Sequence, residues 1–212
     1  LAAYLKTQNL APGARVANLT KNCAHLIMAD LAIRMAGGTT VAIFPTESGE
    51  TIRYVLDHSE ASFLFVGKLD TWPLQAPFVP TSIPCIAFPL APENHYTKWD
   101  DVVRQTPPLE GDIARAPTDL AMIMYTSGST GQPKGVMHNF ERISAATEGI
   151  VKTLKETLGD REDNRILSYL PLAHVFERAW VGASSLVHGK THVFFAESLD
   201  SFIQDLNRAK PT

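Results

Sequence analysis

Thr126 to Gly135 reads TSGSTGQPKG and follows directly on the apolar run Leu120-Ala121-Met122-Ile123-Met124-Tyr125. Its ten residues hold two Ser, two Thr, three Gly, one Pro and one Lys. A strand that runs into such a loop gathers backbone N–H groups, hydroxyls and one mobile cation in one place. Gly128 and Gly131 lack Cβ, so the backbone can take positive φ and approach a ligand closely, and successive N–H groups can form a concave anion nest. Ser127, Ser129 and Thr130 add hydroxyl donors. Lys134 brings a point charge on a long stem that can follow phosphates as they move, and Pro133 stiffens the turn before it. The pattern predicts a polyphosphate site.

The spacing excludes the commonest phosphate loop. In G-x-x-x-x-G-K-[ST] the Lys follows the last Gly directly and a Ser or Thr then holds magnesium. Here Lys134 lies three residues beyond Gly131, and Gly135 stands where that hydroxyl would be. Val136-Met137 reads as a second short strand rather than a helix start. A flexible surface linker is the plainer alternative, and phosphate binding outweighs it because Gly/Ser linkers are seldom bracketed by apolar strands or interrupted by Pro-Lys-Gly.

Around the loop the chain alternates strand and helix. Arg15–Leu19, Thr39–Phe44, Ser62–Val66 and Pro84–Phe88 read as short strands, the second as a near-continuous β-prone run of the kind buried on both faces of a parallel sheet. Helices are expected from the end at Leu1–Leu10, over Lys21–Ala36 with Ala24, Ile27, Met28, Leu31, Ile33 and Met35 inward, and over Thr46–Ser59 with Ser48 as cap and Ile52, Val55 and Leu56 on one face. Leu69–Pro84 reads as irregular, and Tyr96–Gln105 as a short helix. Beyond the loop a helix is expected over Phe140–Leu158 with Ile143, Thr147, Ile150, Val151, Leu154 and Leu158 inward. A strand at Ile166–Leu170, a helix at Val181–Val187, a strand at Thr191–Phe195 and a helix at Ser198–Arg208 with Phe202, Ile203 and Leu206 inward complete the series. The order implies an α/β fold of layered, mostly parallel sheets with helices on both faces. One domain of two lobes is expected, 1–103 and 119–212, joined by the Pro-rich connection 104–118.

Composition narrows the function. The 212 residues are 45% hydrophobic and 19% charged, ordinary for a globular protein with a sizeable core. A net charge of −3 leaves no basic field for nucleic acid. Cys23 and Cys85 lie far apart without metal spacing and read as reduced packing thiols; His25, His58, His95, His138, His188 and His192 likewise show no ligand spacing. No apolar run approaches the ~18–20 residues that cross a bilayer. A soluble, cytoplasmic protein is expected, with peripheral membrane contact left open. A start at Leu1 and an end at Lys210-Pro211-Thr212 read as a fragment.

A second constellation follows the strand at 166–170. LPLAHVFER, Leu170 to Arg178, places His174, Phe176, Glu177 and Arg178 after a strand's carboxyl end, where ligands of open α/β sheets gather. Glu177 and Arg178 are expected to form a local ion pair. For His174 and Phe176 the plain reading is a helix cap and a core side chain.

YTSGSTGQPKGVMHN resembles the signature loop of the adenylate-forming superfamily, which holds acyl-CoA synthetases, luciferases and peptide-synthetase adenylation domains. PLAH-x-FER is most similar to long-chain fatty acyl-CoA synthetases. The resemblance covers essentially the whole chain and about the first half of the family's large domain. It implies a two-step reaction in which a fatty carboxylate attacks ATP, pyrophosphate leaves, and coenzyme A takes the acyl group. It also implies that Thr126, Ser127, Gly128, Ser129, Thr130, Gly131 and Lys134 hold the ATP phosphates, that Thr126 lies near Mg2+, that Lys134 and His174 are catalytic, and that His174 and Phe176 border the acyl pocket. The Tyr-Gly-x-Thr-Glu stretch, the ribose-binding Thr-Gly-Asp segment and the C-terminal domain are absent from these residues, so the fragment alone is expected not to turn over. An aromatic acid, a carrier-protein acceptor, or a non-catalytic nucleotide-binding module remain open alternatives.

Overall fold

Val16, Ala17 and Leu19, the run Val41-Ala42-Ile43, and Phe63-Leu64-Phe65-Val66 are apolar at nearly every position, and each run has become a strand covered on both faces. In a computed structural model that describes residues 1–111, 113–126, 131–159 and 162–212, the chain packs as two units, Leu1–Phe140 and Glu141–Thr212.

The first unit runs α1 (Ala2–Thr7), β1 (Arg15–Leu19), α2 (Ala24–Met35), β2 (Thr39–Ile43), α3 (Gly49–His58), β3 (Ala61–Val66), α4 (Trp72–Gln75), β4 (Cys85–Ala87), β5 (Thr97–Lys98), α5 (Trp99–Gln105), β6 (Leu120–Thr126) and β7 (Lys134–Asn139). Its sheet has the order β5-β4-β3-β1-β2-β6-β7. All neighbours are parallel except β6 and β7, which form an antiparallel hairpin. The α/β fold with a mostly parallel sheet is thus as the sequence implied. Phe63, Phe65, Leu64, Ile33, Ile52 and Leu56 are almost wholly excluded from solvent, each worth ~1.5–3 kcal/mol of burial.

Helix α3 follows its sequence reading closely. Ile52, Val55 and Leu56 are buried, and Ser48 Oγ accepts from the Thr51 backbone N–H at 3.2 Å. Ser48→Ala should therefore cost about 1 kcal/mol, read as a lower urea midpoint with an unchanged slope; an unchanged midpoint would show that solvent replaces the cap.

Helix α2 is turned relative to expectation. Leu26, Ala29, Asp30, Ala32 and Ile33 face inward, while Met28, Leu31 and Met35 are exposed. The reason is polar: Asn18 Nδ2 on β1 donates to Asp30 Oδ1 at 2.8 Å inside the packing layer, and a buried amide and carboxylate must meet each other there. A purely apolar count misses a stripe that contains an Asp. The stretch 69–84, expected to be irregular, contains α4 and a 3-10 turn at Ala76–Phe78, with Trp72 and Gln75 buried. The Pro-rich connection is tied down by Arg115, whose Nη1 donates to the carbonyls of Arg34 and Gly38 at 3.1 and 3.0 Å and whose Nε donates to Asp119 Oδ2 at 2.9 Å. The same guanidinium holds the Asp119 carboxyl below its usual range.

The second unit contains most of α6 (Phe140–Leu158), then β8 (Asn164–Ser168), α7 (Val175–Glu177), a π-helical turn at Arg178–Ala183, α8 (Ser184–His188), β9 (Thr191–Phe195) and α9 (Phe202–Ala209). Strands β8 and β9 pair in parallel as a two-stranded sheet. Two helix faces expected to be inward are only partly covered. On α6 Thr147 alone is buried and Leu158 is exposed; on α9 Ile203 is 65% exposed, Leu206 is exposed, and Ala209 is the buried residue. Two strands offer too little surface to cover whole helical stripes.

Candidate functional site

The TSGSTGQPKG stretch joins β6 to β7, so its ends are fixed by hairpin register. Thr126 pairs with Lys134 and Tyr125 with Gly135. Both Thr126 and Lys134 are exposed, which leaves a hydroxyl and an ammonium side by side at the carboxyl end of β6, next to the sheet's edge strand β7. Gly135 is required by close approach: a Cβ there would lie 2.9 Å from Ile123 Cγ2 and 3.4 Å from Tyr125 Cζ.

Beside the hairpin lies a cavity of about 330 Å³ lined by Ile43, Phe44, Glu47, Thr51, Val55, Tyr125, Thr126, Gly131 and Pro133. Its far wall is the turn after β2. Buried Gln75 holds that turn by donating from Nε2 to the carbonyls of Pro45 and Glu47 at 2.9 and 3.0 Å. Gln75 was invisible in the sequence because its segment carried no periodicity.

Topology explains why the cavity sits here. Strand order reverses at β1/β3, where open α/β sheets ordinarily bind ligands, but that crevice is shut. The ladder continues past the strand ends through Gly67 N–H to the Leu19 carbonyl at 3.0 Å and Lys21 N–H to the Lys68 carbonyl at 2.8 Å. Thr20 packs directly on Gly67. The chain reverses again when it leaves β5 at one edge and returns as β6 beside β2, and the cavity lies at that second reversal.

Helix α3, which lines the cavity with Thr51 and Val55, also reaches the hairpin. Tyr54 Oη donates to the Pro133 carbonyl at 3.2 Å, and His58 Nδ1 bonds the Tyr125 hydroxyl at 2.8 Å. The Tyr54 and His58 rings stack, with centroids 5.3 Å apart and planes 27° apart. Burial, with Tyr54 adding to it, pushes the Tyr125 phenol up. Sequence reasoning set His58 aside for lacking metal spacing; its four-residue separation from Tyr54 was the available signal.

In the second unit His174 caps α7, its Nδ1 accepting from the Phe176 N–H at 3.2 Å. With Nδ1 an acceptor, the neutral ring carries its proton on Nε2 and presents a donor. His174 is exposed, and Phe176, half exposed, stacks on Trp180 at 5.6 Å rather than entering the core. Glu177 and Arg178 are both buried. Glu177 Oε1 accepts from Ser168 Oγ at 2.7 Å, and Arg178 Nε donates to the Leu172 carbonyl at 2.6 Å. Burial raises the Glu177 carboxyl, against the pull of the Ser168 bond, and lowers the Arg178 guanidinium to about 10.

Of the residues singled out in sequence, Thr126, Gly131 and Lys134 belong to the hairpin and its cavity in the first unit, and His174 and Phe176 share one helix start in the second. Ser127, Gly128, Ser129 and Thr130 lie outside the described residues. Both cysteines are free and buried, and burial raises the Cys85 thiol to about 11. Among the described residues no helix is long and apolar enough to cross a membrane.

Known proteins resemble this chain in sequence or in fold. Long chain acyl-CoA synthetase 5 of Arabidopsis thaliana is 27% identical over 206 residues, which is 90% of this chain and 31% of that protein. The chain thus spans less than a third of that relative's length. The crystal structure of the anthranilate CoA ligase AuaEII in complex with anthranoyl-AMP superposes with a TM-score of 0.86 at 22% identity, over 100% of this chain and 41% of the other. O-succinylbenzoate coenzyme A synthetase (MenE) of Bacillus subtilis, in complex with ATP and magnesium ion, superposes at 0.73 and 23% identity, over 100% of this chain and 52% of the other. Those two likenesses are of fold. The family described as AMP-binding enzyme matches residues 1–212, and the chain belongs to it.

Proposed function

We propose that the whole protein activates a long-chain fatty acid, joining its carboxylate to the α-phosphate of ATP with loss of pyrophosphate and passing the acyl group to coenzyme A. The observation that carries the reading is the Thr126–Lys134 pair at the carboxyl end of β6, beside a polar-rimmed cavity. Family membership supports the adenylating chemistry. The long chain rests on the wording of residues 170–178 and on distant acyl-CoA synthetases at about the identity given above, as does coenzyme A as acceptor.

The reaction brings two anions together, so the site must offset charge where it develops. Lys134, exposed and paired in register with Thr126, is the residue proposed to bring its ammonium there. The residues present fit a magnesium ion with the nucleotide: Glu47, Thr51 and Thr126 bring oxygen donors, the type this cation takes, and a Cβ added at Gly131 would meet nothing within 4 Å. Thr126 is the residue proposed to face that ion, which when bound supplies positive charge at the phosphates. His174, donating from Nε2, is proposed to orient the carboxylate; an ionised fatty acid at pH 7 needs no base. Phe176 is proposed to border the acyl chain.

The test is pyrophosphate release by the full-length protein with ATP and magnesium and a panel of acetate, octanoate, palmitate and benzoate, with and without coenzyme A. Palmitate-led release completed by palmitoyl-CoA formation is expected. Release led by benzoate would move the substrate to aryl acids, and no acid-dependent release from a folded protein would sink the ligase reading.

A further inference from the structure

The ladder between β2 and β6 stops early. Thr40, Val41 and Ala42 pair with Met122, Ile123 and Met124, and Tyr125 and Thr126 have no partner on β2 in that register. Tyr125 is buried in the core beside Ile43 and Val55, but from Thr126 onward the hairpin runs beyond the β2 ladder, paired to β7, an edge strand with Val136 and Met137 exposed. Two residues alone, paired to each other, do not fix a position to the fraction of an ångström that charge stabilisation requires. Something else must hold them.

The geometry points to Tyr54 and His58 as positioning residues for Lys134 and Thr126. The two side chains lie one turn apart on α3, and each bonds the residue immediately before one member of the pair: Tyr54 to the carbonyl of Pro133, His58 to the hydroxyl of Tyr125. Ring stacking couples the two contacts to each other. Their base is rigid, since α3 is capped by Ser48 and buries Ile52, Val55 and Leu56 against the sheet. Tyr54 is half-buried and packs against the core, while His58 is exposed; the polar contacts join both side chains to the hairpin. Tyr54 and His58 thus form a clamp that sets both flanks of the loop from one helical face. Tyr125 adds a third point by lying over Gly135, which keeps the two strands at close distance.

This rests on the nucleotide reading above, and the two fail differently. The experiment uses full-length protein, wild type, Tyr54→Phe and His58→Phe, the last keeping a ring against Tyr54 while removing the bond to Tyr125. Mg·ATP binding by calorimetry, the KM for palmitate in the pyrophosphate assay, and Tm are measured for each. Loss of one bond to a carbonyl or hydroxyl predicts a Kd for Mg·ATP about fivefold weaker, with palmitate KM unchanged and Tm within about 2 °C of wild type. An unchanged Kd in both variants overturns the clamp. So does a Tm drop with nucleotide and palmitate affinities weakened together, because that pattern marks a purely structural role. Wild type that binds Mg·ATP but releases no pyrophosphate overturns the ligase reading alone, the Kd comparison still deciding the clamp. Wild type that binds no Mg·ATP overturns both.

Discussion

Gly67→Ala should destabilise the first unit by about 3 kcal/mol and lower its thermal midpoint by on the order of 10 °C. The added Cβ would lie 2.0 Å from Thr20 Oγ1, 2.5 Å from Thr20 Cβ and 2.7 Å from Phe88 Cδ2. Neither neighbour is free to withdraw. Thr20 is buried and β-branched, hence stiff at χ1. Phe88 is wedged against Phe65 and Trp99, with ring centroids 5.7 and 5.2 Å away. The backbone must part instead, which breaks the two bonds that extend the β1–β3 ladder past its strands. Circular dichroism melting of the variant beside wild type decides the matter, and a midpoint within about 2 °C would mean that Thr20 finds another rotamer at little cost.

Lys134→Ala should lower kcat/KM for pyrophosphate release from the full-length protein by about 100-fold or more, the scale of removing one charge-stabilising donor from an active site. The fold should be untouched, because Lys134 is exposed on an edge strand and its truncation opens no cavity. Equal melting curves with unequal rates would separate chemistry from folding. A loss smaller than about threefold would remove Lys134 from the reacting centre, since that is less than 1 kcal/mol of barrier.

Much of the fold could be read because strands buried on both faces are mostly apolar, as Arg15–Leu19 is; Thr191–Phe195 was also bounded correctly, by its β-prone residues, although it is only partly buried. What escaped was polar or tertiary. The inward face of α2 turns on Asp30, whose burial makes sense only once Asn18 is known to lie opposite. Gln75 earns no attention in a Pro-rich stretch until its bonds to Pro45 and Glu47 are seen. Thr126 and Lys134 were legible as chemistry but not as register partners, which needed the antiparallel pairing of β6 with β7. His174 was weighed between a cap and a pocket residue; it is a cap, and the same bond that makes it one leaves Nε2 free to serve as a donor.

The strand order also has a history in time. Strands β1 to β5 all lie between Arg15 and Lys98 and pair among themselves, so on a ribosome they are available to one another early. The hairpin must wait until Leu120–Asn139 has been made, and it then joins an edge of β2 that has stood open across the whole stretch from Thr40 to Met122. Read backwards, β6 and β7 can leave that edge while the other five strands stay paired, an opening that costs less than global unfolding. Thr126 and Lys134 are therefore carried on strands made after the five that pair among themselves, so this part of the scaffold precedes them on the nascent chain.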